Sequence, residues 1–118
     1  MLPRDGTAGT PKLIDWDGWH LRVGVWNLAC MMAVQWDPGV RRRFEQPFLD
    51  RYCATLSVSG LTDHSRDALQ EDSRLAMLLH MCTPLARFAK SMSAYVWWPQ
   101  LTRVQHAVED LRCLDLLV

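Results

Sequence analysis

Four cysteines and four histidines are the side chains in this sequence that could form a zinc site or a Cys–His nucleophilic pair. His80 and Cys82 are the closest such pair, but side chains two residues apart on a helix point in different directions. The others are widely separated, and the sequence contains no C-x-x-C pair. Zinc-binding sequences usually carry ligand pairs at short spacing, and nothing here indicates a Cys–His nucleophile. The sequence therefore predicts no metal site and no cofactor.

Other catalytic motifs are missing as well. The sequence has neither a glycine-rich phosphate loop nor G-x-S-x-G. Asp15 and Asp17 flank Trp16, where helix capping and solvation explain them better than acid–base chemistry. We therefore expect that the protein is not an enzyme. The cysteines lie in apolar stretches behind a polar N-terminal segment, which favours buried free thiols in a reducing cytoplasm.

The segment DPGVRRRFEQPF, residues 37–48, carries the densest charge in the chain. Asp37 is a favourable N-cap, and Pro38 suits the first position of a helix because an N–H there would have no partner. The next turn holds three arginines: Arg41, Arg42 and Arg43. The positive end of a helix dipole favours acidic side chains, so we expect an anion close to these arginines.

Three kinds of anion fit this expectation. Ion pairs within the segment would leave a solvated face and would use Glu45, Asp50 and Asp37. A nucleic-acid backbone would offer phosphates, and an acidic partner protein would offer carboxylates. Consecutive helical residues fan around the axis, so Arg42 should point outward while Arg41 and Arg43 flank the buried face. The candidate nucleic-acid-binding residues are Arg41, Arg42, Arg43, Arg51, Arg87 and Lys90.

The six tryptophans are many for a chain of 118 residues. Trp provides large buried area in small cores, and it is also enriched in protein interfaces. Trp97 and Trp98 are adjacent, and neighbouring helical side chains point about 100° apart, so both fit one core only at a corner. Pro99 predicts such a corner, where the last helix would begin. Core packing stays open for the pair, but we expect at least one of them to be exposed as a partner interface.

Helical periodicity predicts the elements that carry these residues. A first helix is expected over residues 16–36, and its apolar circumference makes it central. The second should bury a stripe that recurs every four residues: Val40, Phe44, Phe48 and Tyr52. Pro47 should kink it or divide it into two short helices. A third helix should begin after a cap at Ser65 or Asp63 and end near Pro84.

No stretch alternates with the period of a strand. The sequence therefore predicts an all-α fold, a compact bundle of four to six helices with proline kinks. Its length fits one domain, with a flexible N-terminal arm at residues 1–13 and a single helical domain over residues 14–118. No run reaches the ~18 apolar residues that a membrane span needs, so we expect a cytoplasmic protein without a membrane partner.

Composition limits the binding functions. Apolar residues make up 49% of the chain, which favours a folded protein. The 13 basic residues are balanced by 13 acidic ones, so the net charge is zero. A neutral chain is not a general polyanion binder, and any contact with nucleic acid must be local and assisted by neighbouring proteins.

The helix-only pattern over residues 15–118, together with DPGVRRRFEQPF, Arg51 and the LARFAKSM segment, resembles the helical small subunits of CRISPR class 1 effector (Cascade-like) complexes. The resemblance is architectural. It implies a non-catalytic scaffold subunit, present in several copies, that packs beside other protein subunits. It also implies contacts with the backbone of guide RNA or target nucleic acid.

The alternative is a protein-only binding module, such as an immunity protein, an anti-activator or a chaperone. Such a module would bind one partner through Trp and Arg side chains and would have no nucleic-acid role. A salt series distinguishes the two classes. Phosphate contacts lose affinity linearly with the logarithm of salt concentration, whereas an interface centred on Trp loses little.

Overall fold

The computed structural model describes residues 24–118, and every regular element in that range is helical. A short helix α1 (Trp26–Cys30) continues as a π-helical segment (Met31–Gln35). The elements that follow are α2 (Pro38–Val58), α3 (Arg66–Leu79), α4 (Cys82–Ala89), α5 (Ala94–Asp110) and a 3₁₀ turn (Cys113–Leu117). The expected all-α fold of four to six helices is confirmed. The expected flexible arm at residues 1–13 and the start of the first helix at residue 16 lie outside the described residues.

The α1 helix and its π-helical continuation are central, as their apolar sequence predicts. Four of their side chains have no exposed surface: Ala29, Met32, Ala33 and Val34. Burial of a side chain such as Met32 or Val34 stabilises the fold by about 1.5–3 kcal/mol. The α1 helix packs against α3, and the π-helical segment packs against α5, so both halves contribute to one core.

The start of α2 is the one that the sequence predicts. Asp37 Oδ1 accepts a 3.0 Å hydrogen bond from the Gly39 N–H, and Pro38 is the first helical residue. Pro47 does not divide the helix, because α2 runs unbroken for 21 residues. Pro47 and Arg43 both belong to the exposed side of α2, so water can bind the Arg43 carbonyl that has no N–H partner. The prediction of two short helices is therefore wrong.

The start of α3 agrees with the sequence prediction, but its end does not. Ser65 caps α3, because its Oγ accepts a 3.1 Å hydrogen bond from the Ala68 N–H. The alternative cap, Asp63, lies in the preceding loop. The α3 helix ends at Leu79, and α4 begins at Cys82. The predicted end near Pro84 is therefore wrong, because Pro84 lies in the first turn of α4, where proline is tolerated.

The beginning of α5 differs from the prediction. The helix begins at Ala94, so Pro99 lies inside it and the predicted corner at Pro99 is wrong. The N–H that Pro99 lacks would have bonded to the carbonyl of Tyr95 in the first turn. Tyr95 is 94% exposed, so water can replace that partner. Trp97 and Trp98 are consequently ordinary helical neighbours on α5.

Among residues 24–118, none of the helices combines the length and the apolar character that crossing a membrane requires.

Candidate interaction surfaces

Arg41 lies at the contact between α2 and α5 and is 2% exposed. Its Nη1 donates a 2.6 Å hydrogen bond to Glu45 Oε2 one turn later, and its Nη2 donates to Asp110 Oδ2 on α5. Two carboxylates thus enclose one guanidinium group. A buried and paired arginine cannot reach an external phosphate, so the prediction that Arg41 binds nucleic acid is corrected.

Arg42 binds the same carboxylate from the outside. Its Nε donates to Asp110 Oδ2 at 2.7 Å and its Nη2 donates to Oδ1 at 3.3 Å, while 54% of the side chain stays exposed. The hydrogen bond from Arg42 is the main cause that lowers the pKa of Asp110, and the same bond raises the pKa of Arg42. Arg42 points outward as expected, but its charge is largely compensated within the protein.

The anion that the arginine-rich turn requires is therefore mainly Asp110, with Glu45 as a second partner. Of the local acids considered from the sequence, Glu45 does pair with Arg41. Asp50 instead binds Arg66 on α3, at 2.6 Å. Asp110 follows the arginines by almost 70 residues, and no local pattern in the sequence connects them.

The buried face of α2 is not the apolar stripe that its sequence predicts. The inward stripe consists of Arg41, Glu45 and Leu49, which recur every four residues. Val40, Phe44 and Phe48 are each 41–43% exposed. The ion pair with Asp110 on α5 turns the charged stripe inward, and the apolar stripe next to it is left half-exposed. The expectation that Val40, Phe44 and Phe48 form the core face is thus wrong.

Arg43 and Arg51 are exposed on α2, and neither forms an ion pair with another residue in the described range. Arg43 lies over the Phe44 ring, with 5.1 Å between its guanidinium carbon and the ring centroid. Arg51 lines a shallow groove with Thr55 and Val58. Both arginines are therefore free to contact an external anion.

The pair formed by α4 and α5 carries an exposed apolar surface, the aromatic ridge (Leu85, Phe88, Trp97 and Trp98). The centroid of Trp97 lies 5.1 Å from that of Phe88 and 5.7 Å from that of Trp98, with an edge-to-face arrangement in both contacts. Trp97 is half-buried, whereas Leu85, Phe88 and Trp98 are 51%, 61% and 59% exposed. The expectation that at least one tryptophan of the pair is exposed is confirmed for Trp98.

A second surface of the same helix pair is the basic groove (Thr83, Ala86, Arg87, Lys90, Met92 and Val96). Lys90 is exposed and Arg87 is half-buried. These two cations, both candidate nucleic-acid-binding residues from the sequence, line one groove. Because Arg87 and Phe88 are consecutive, their side chains leave α4 about 100° apart, so the groove and the ridge are neighbouring faces of one hairpin.

The cysteines do not form a reactive or metal-binding cluster in the described part of the chain. All four are free thiols. Burial raises the pKa of Cys113 and of Cys30, so both stay protonated at neutral pH. Only Cys113 is fully buried, whereas Cys30 and Cys53 are half-buried and Cys82 is exposed, which corrects the expectation that every thiol is buried. Within residues 24–118 no three His, Cys, Asp or Glu side chains are grouped as metal ligands would be.

His80 has a structural position between α3 and α4. It is 3% exposed, its Nε2 lies 3.1 Å from the Trp26 carbonyl, and its Nδ1 lies 3.3 Å from the Thr83 hydroxyl. Its ring also contacts the Trp26 ring, with 4.2 Å between centroids. These contacts connect the junction between α3 and α4 to α1.

A cavity of about 310 Å³ lies between α2 and α3 and borders Gly24. Its walls are mostly apolar and include Tyr52 and Leu56, while three polar residues line it as well: Asp63, His64 and Asp72. None of these three has a hydrogen bond or an ion pair within residues 24–118 that would activate it for acid–base chemistry.

Comparison with protein-family models, with curated proteins and with solved structures found no match in any of the three.

Proposed function

We propose that this protein is a non-catalytic helical subunit that docks onto a partner protein through the hairpin of α4 and α5. The observation that carries this proposal is the aromatic ridge. The exposed parts of Leu85, Phe88 and Trp98 together amount to roughly 300–400 Å², which is the size of patches that are often functional on monomeric proteins.

The composition of the ridge favours a protein partner. Trp is among the residues that dominate binding energy in protein interfaces, and apolar neighbours exclude water around it. Trp97 is half-buried and makes edge-to-face contacts with both Trp98 and Phe88, so these exposed rings are held in position before binding. A fixed aromatic surface loses little conformational entropy when a partner covers it.

A second candidate is a small subunit of a nucleoprotein assembly, of the CRISPR class 1 kind that the sequence resembles. The exposed Arg43 and Arg51 favour it, because they lie two turns apart on one helix, about 12 Å along its axis. In that assembly the aromatic ridge would still contact a neighbouring subunit, and several copies would lie along the nucleic acid. The two candidates therefore share the aromatic ridge as a protein contact and are distinguished by whether nucleic acid is contacted.

The test is purification of the tagged full-length chain from its source cells, with two variants beside the parent. Trp98→Ala removes the centre of the ridge. Phe44→Ala is the matched control, an aromatic residue that is 41% exposed on α2. We expect a partner protein to co-purify at constant stoichiometry with the parent and with Phe44→Ala, and to be lost with Trp98→Ala.

Nuclease treatment and raised salt separate the two candidates. A protein-only complex keeps its composition under both treatments. A complex that contains nucleic acid before treatment, and that dissociates under both treatments, supports the nucleoprotein candidate instead. A complex that survives Trp98→Ala unchanged contradicts docking through the aromatic ridge.

A further inference from the structure

Charge is unevenly distributed along this neutral chain. Residues 73–108 contain four basic residues and no acidic residue: Arg74, Arg87, Lys90 and Arg103 are the basic ones. All 13 acidic residues lie in the rest of the chain. The stretch covers the end of α3, all of α4 and most of α5. The two acidic residues of α5, Glu109 and Asp110, lie at its C-terminal end, so the part of the hairpin that carries the aromatic ridge has basic residues and no acidic ones.

Two of these cations line the basic groove with apolar neighbours. Arg87 and Lys90 lie on α4, and Met92 and Val96, which are 42% and 37% exposed, complete the groove from the α5 side. Within residues 24–118 no carboxylate lies within 4.0 Å of either cation. This contrasts with Arg41, Arg42 and Arg66, which all bind carboxylates of the same chain.

We propose that the basic groove binds an acidic and apolar segment of the partner protein. This inference rests on the proposed docking through the hairpin and specifies the chemistry of what docks. Carboxylates of the segment would pair with Arg87 and Lys90, and its apolar side chains would cover Met92 and Val96. Arg is well suited to this role because its guanidinium can bind a carboxylate through two parallel hydrogen bonds.

Other occupants fit the groove less well. A second copy that docked hairpin to hairpin would bring like charges together, which costs affinity. Binding to a nucleic-acid backbone depends on neutralising several phosphates with Lys and Arg, and this groove offers two cations between apolar walls. Each basic residue near an anionic membrane contributes only about 1 kcal/mol of binding free energy, so two cations would bind the protein to a membrane weakly.

The experiment is a selection of random displayed peptides against the full-length chain. Peptides enriched on the parent are expected to combine apolar residues with Asp and Glu. Arg87→Glu/Lys90→Glu should weaken their binding at least about tenfold, because attraction becomes repulsion. Lys90→Glu alone, at an exposed position, should weaken it in the same direction, so a folding defect at Arg87 does not decide the result. Arg43→Glu/Arg51→Glu is the matched control with two exposed arginines on α2 and should bind as the parent does.

The outcomes separate the two proposals. Enriched peptides that require Trp98 but show no excess of acidic residues contradict the acidic segment and leave the docking surface intact. If no enriched peptide depends on Trp98, Arg87 or Lys90 for its binding, the result contradicts both proposals. Three further probes are an oligothymidylate, vesicles containing phosphatidylserine, and light scattering of the chain alone. Binding or self-association that Lys90→Glu abolishes in any of them assigns the groove to that occupant and overturns the proposal.

Discussion

Arg41 on α2 and Asp110 on α5 form an ion pair between residues that are 69 positions apart in the sequence. The Arg41 side chain is 2% exposed, whereas that of Asp110 is 31% exposed and also binds Arg42. A desolvated cation therefore faces a carboxylate that keeps some contact with water. A buried charge is stable only while its partner is ionised and in position, so the contact of α2 with α5 depends on the charge of Asp110.

Asp110→Asn should destabilise the protein by about 3 kcal/mol, because the buried Arg41 would keep only Glu45 as an ionic partner. Asp50→Asn is the matched control. It breaks the pair with Arg66, but the Asp50 side chain is 65% exposed, and such pairs contribute about 1 kcal/mol or less. Urea unfolding followed by circular dichroism measures both losses. Equal losses in the two variants would mean that the burial of Arg41 has no energetic consequence.

The same carboxylate makes stability depend on pH. The hydrogen bond from Arg42 holds the pKa of Asp110 below its ordinary value of 3.8, against the opposing effect of burial. Because the pKa is lower in the folded protein than in the unfolded chain, the stabilisation is complete above 3.8 and is lost as pH falls through the folded value. The parent should therefore lose more free energy of unfolding than Asp110→Asn when both are titrated from pH 6 to pH 2.5, values chosen to span carboxyl titration. Parallel curves would contradict this role for Asp110.

Arg41 and Glu45 should behave as a coupled pair. Arg41→Leu leaves Glu45, which is 4% exposed, without its guanidinium partner, and should cost about 3–5 kcal/mol. The double variant Arg41→Leu/Glu45→Leu removes both buried charges and should recover most of that loss, since apolar replacements of buried ion pairs are often neutral. The free energies of unfolding of both single variants and the double variant give the coupling energy. Additive losses would show that the two side chains act independently.

The two adjacent tryptophans should separate stability from binding. Trp98→Ala should change the free energy of unfolding by about 0.5 kcal/mol or less, because its exposed side chain contributes little to the core. It should weaken partner binding by about 1–4 kcal/mol. Trp97→Ala should cost about 2 kcal/mol of stability, because Trp97 packs between Phe88 and Trp98. Loss of the fold in Trp98→Ala would assign this residue to the core and would contradict the interface.

Nucleic-acid binding, if the nucleoprotein candidate holds, should depend on Arg51 more than on Arg42. Arg51→Ala in the assembled complex should reduce the slope of log affinity against log salt by about one unit, equally for all base sequences. Arg42→Ala should have a smaller effect, because Asp110 already compensates that charge. The isolated chain, with zero net charge, should bind weakly. Binding titrations at several salt concentrations measure these slopes, and identical slopes in parent and Arg51→Ala would exclude a phosphate contact at Arg51.

Local signals in the sequence predict the helical fold and the starts of two of its helices. Asp37 and Pro38 define the start of α2, and Ser65 defines the start of α3, because a cap bonds to an N–H only two or three residues away. The all-α fold and the burial of the first helix follow from periodicity and apolar content, which are also local properties. The exposure of Trp98 could be expected from its adjacency to Trp97, because one helix cannot point two neighbouring side chains into one core.

Which helix faces are buried and which charges are paired depends on tertiary contacts that no local pattern in the sequence encodes. Arg41 is buried because it pairs with Asp110 on α5, a helix distant in the sequence, and the apolar side chains of Val40 and Phe44 are half-exposed as a result. Pro47 and Pro99 do not interrupt their helices, because the carbonyls they leave without a partner lie where water reaches them. Helical pattern gives the angle between two side chains on one element, but whether either of them meets solvent or a carboxylate depends on elements tens of residues away.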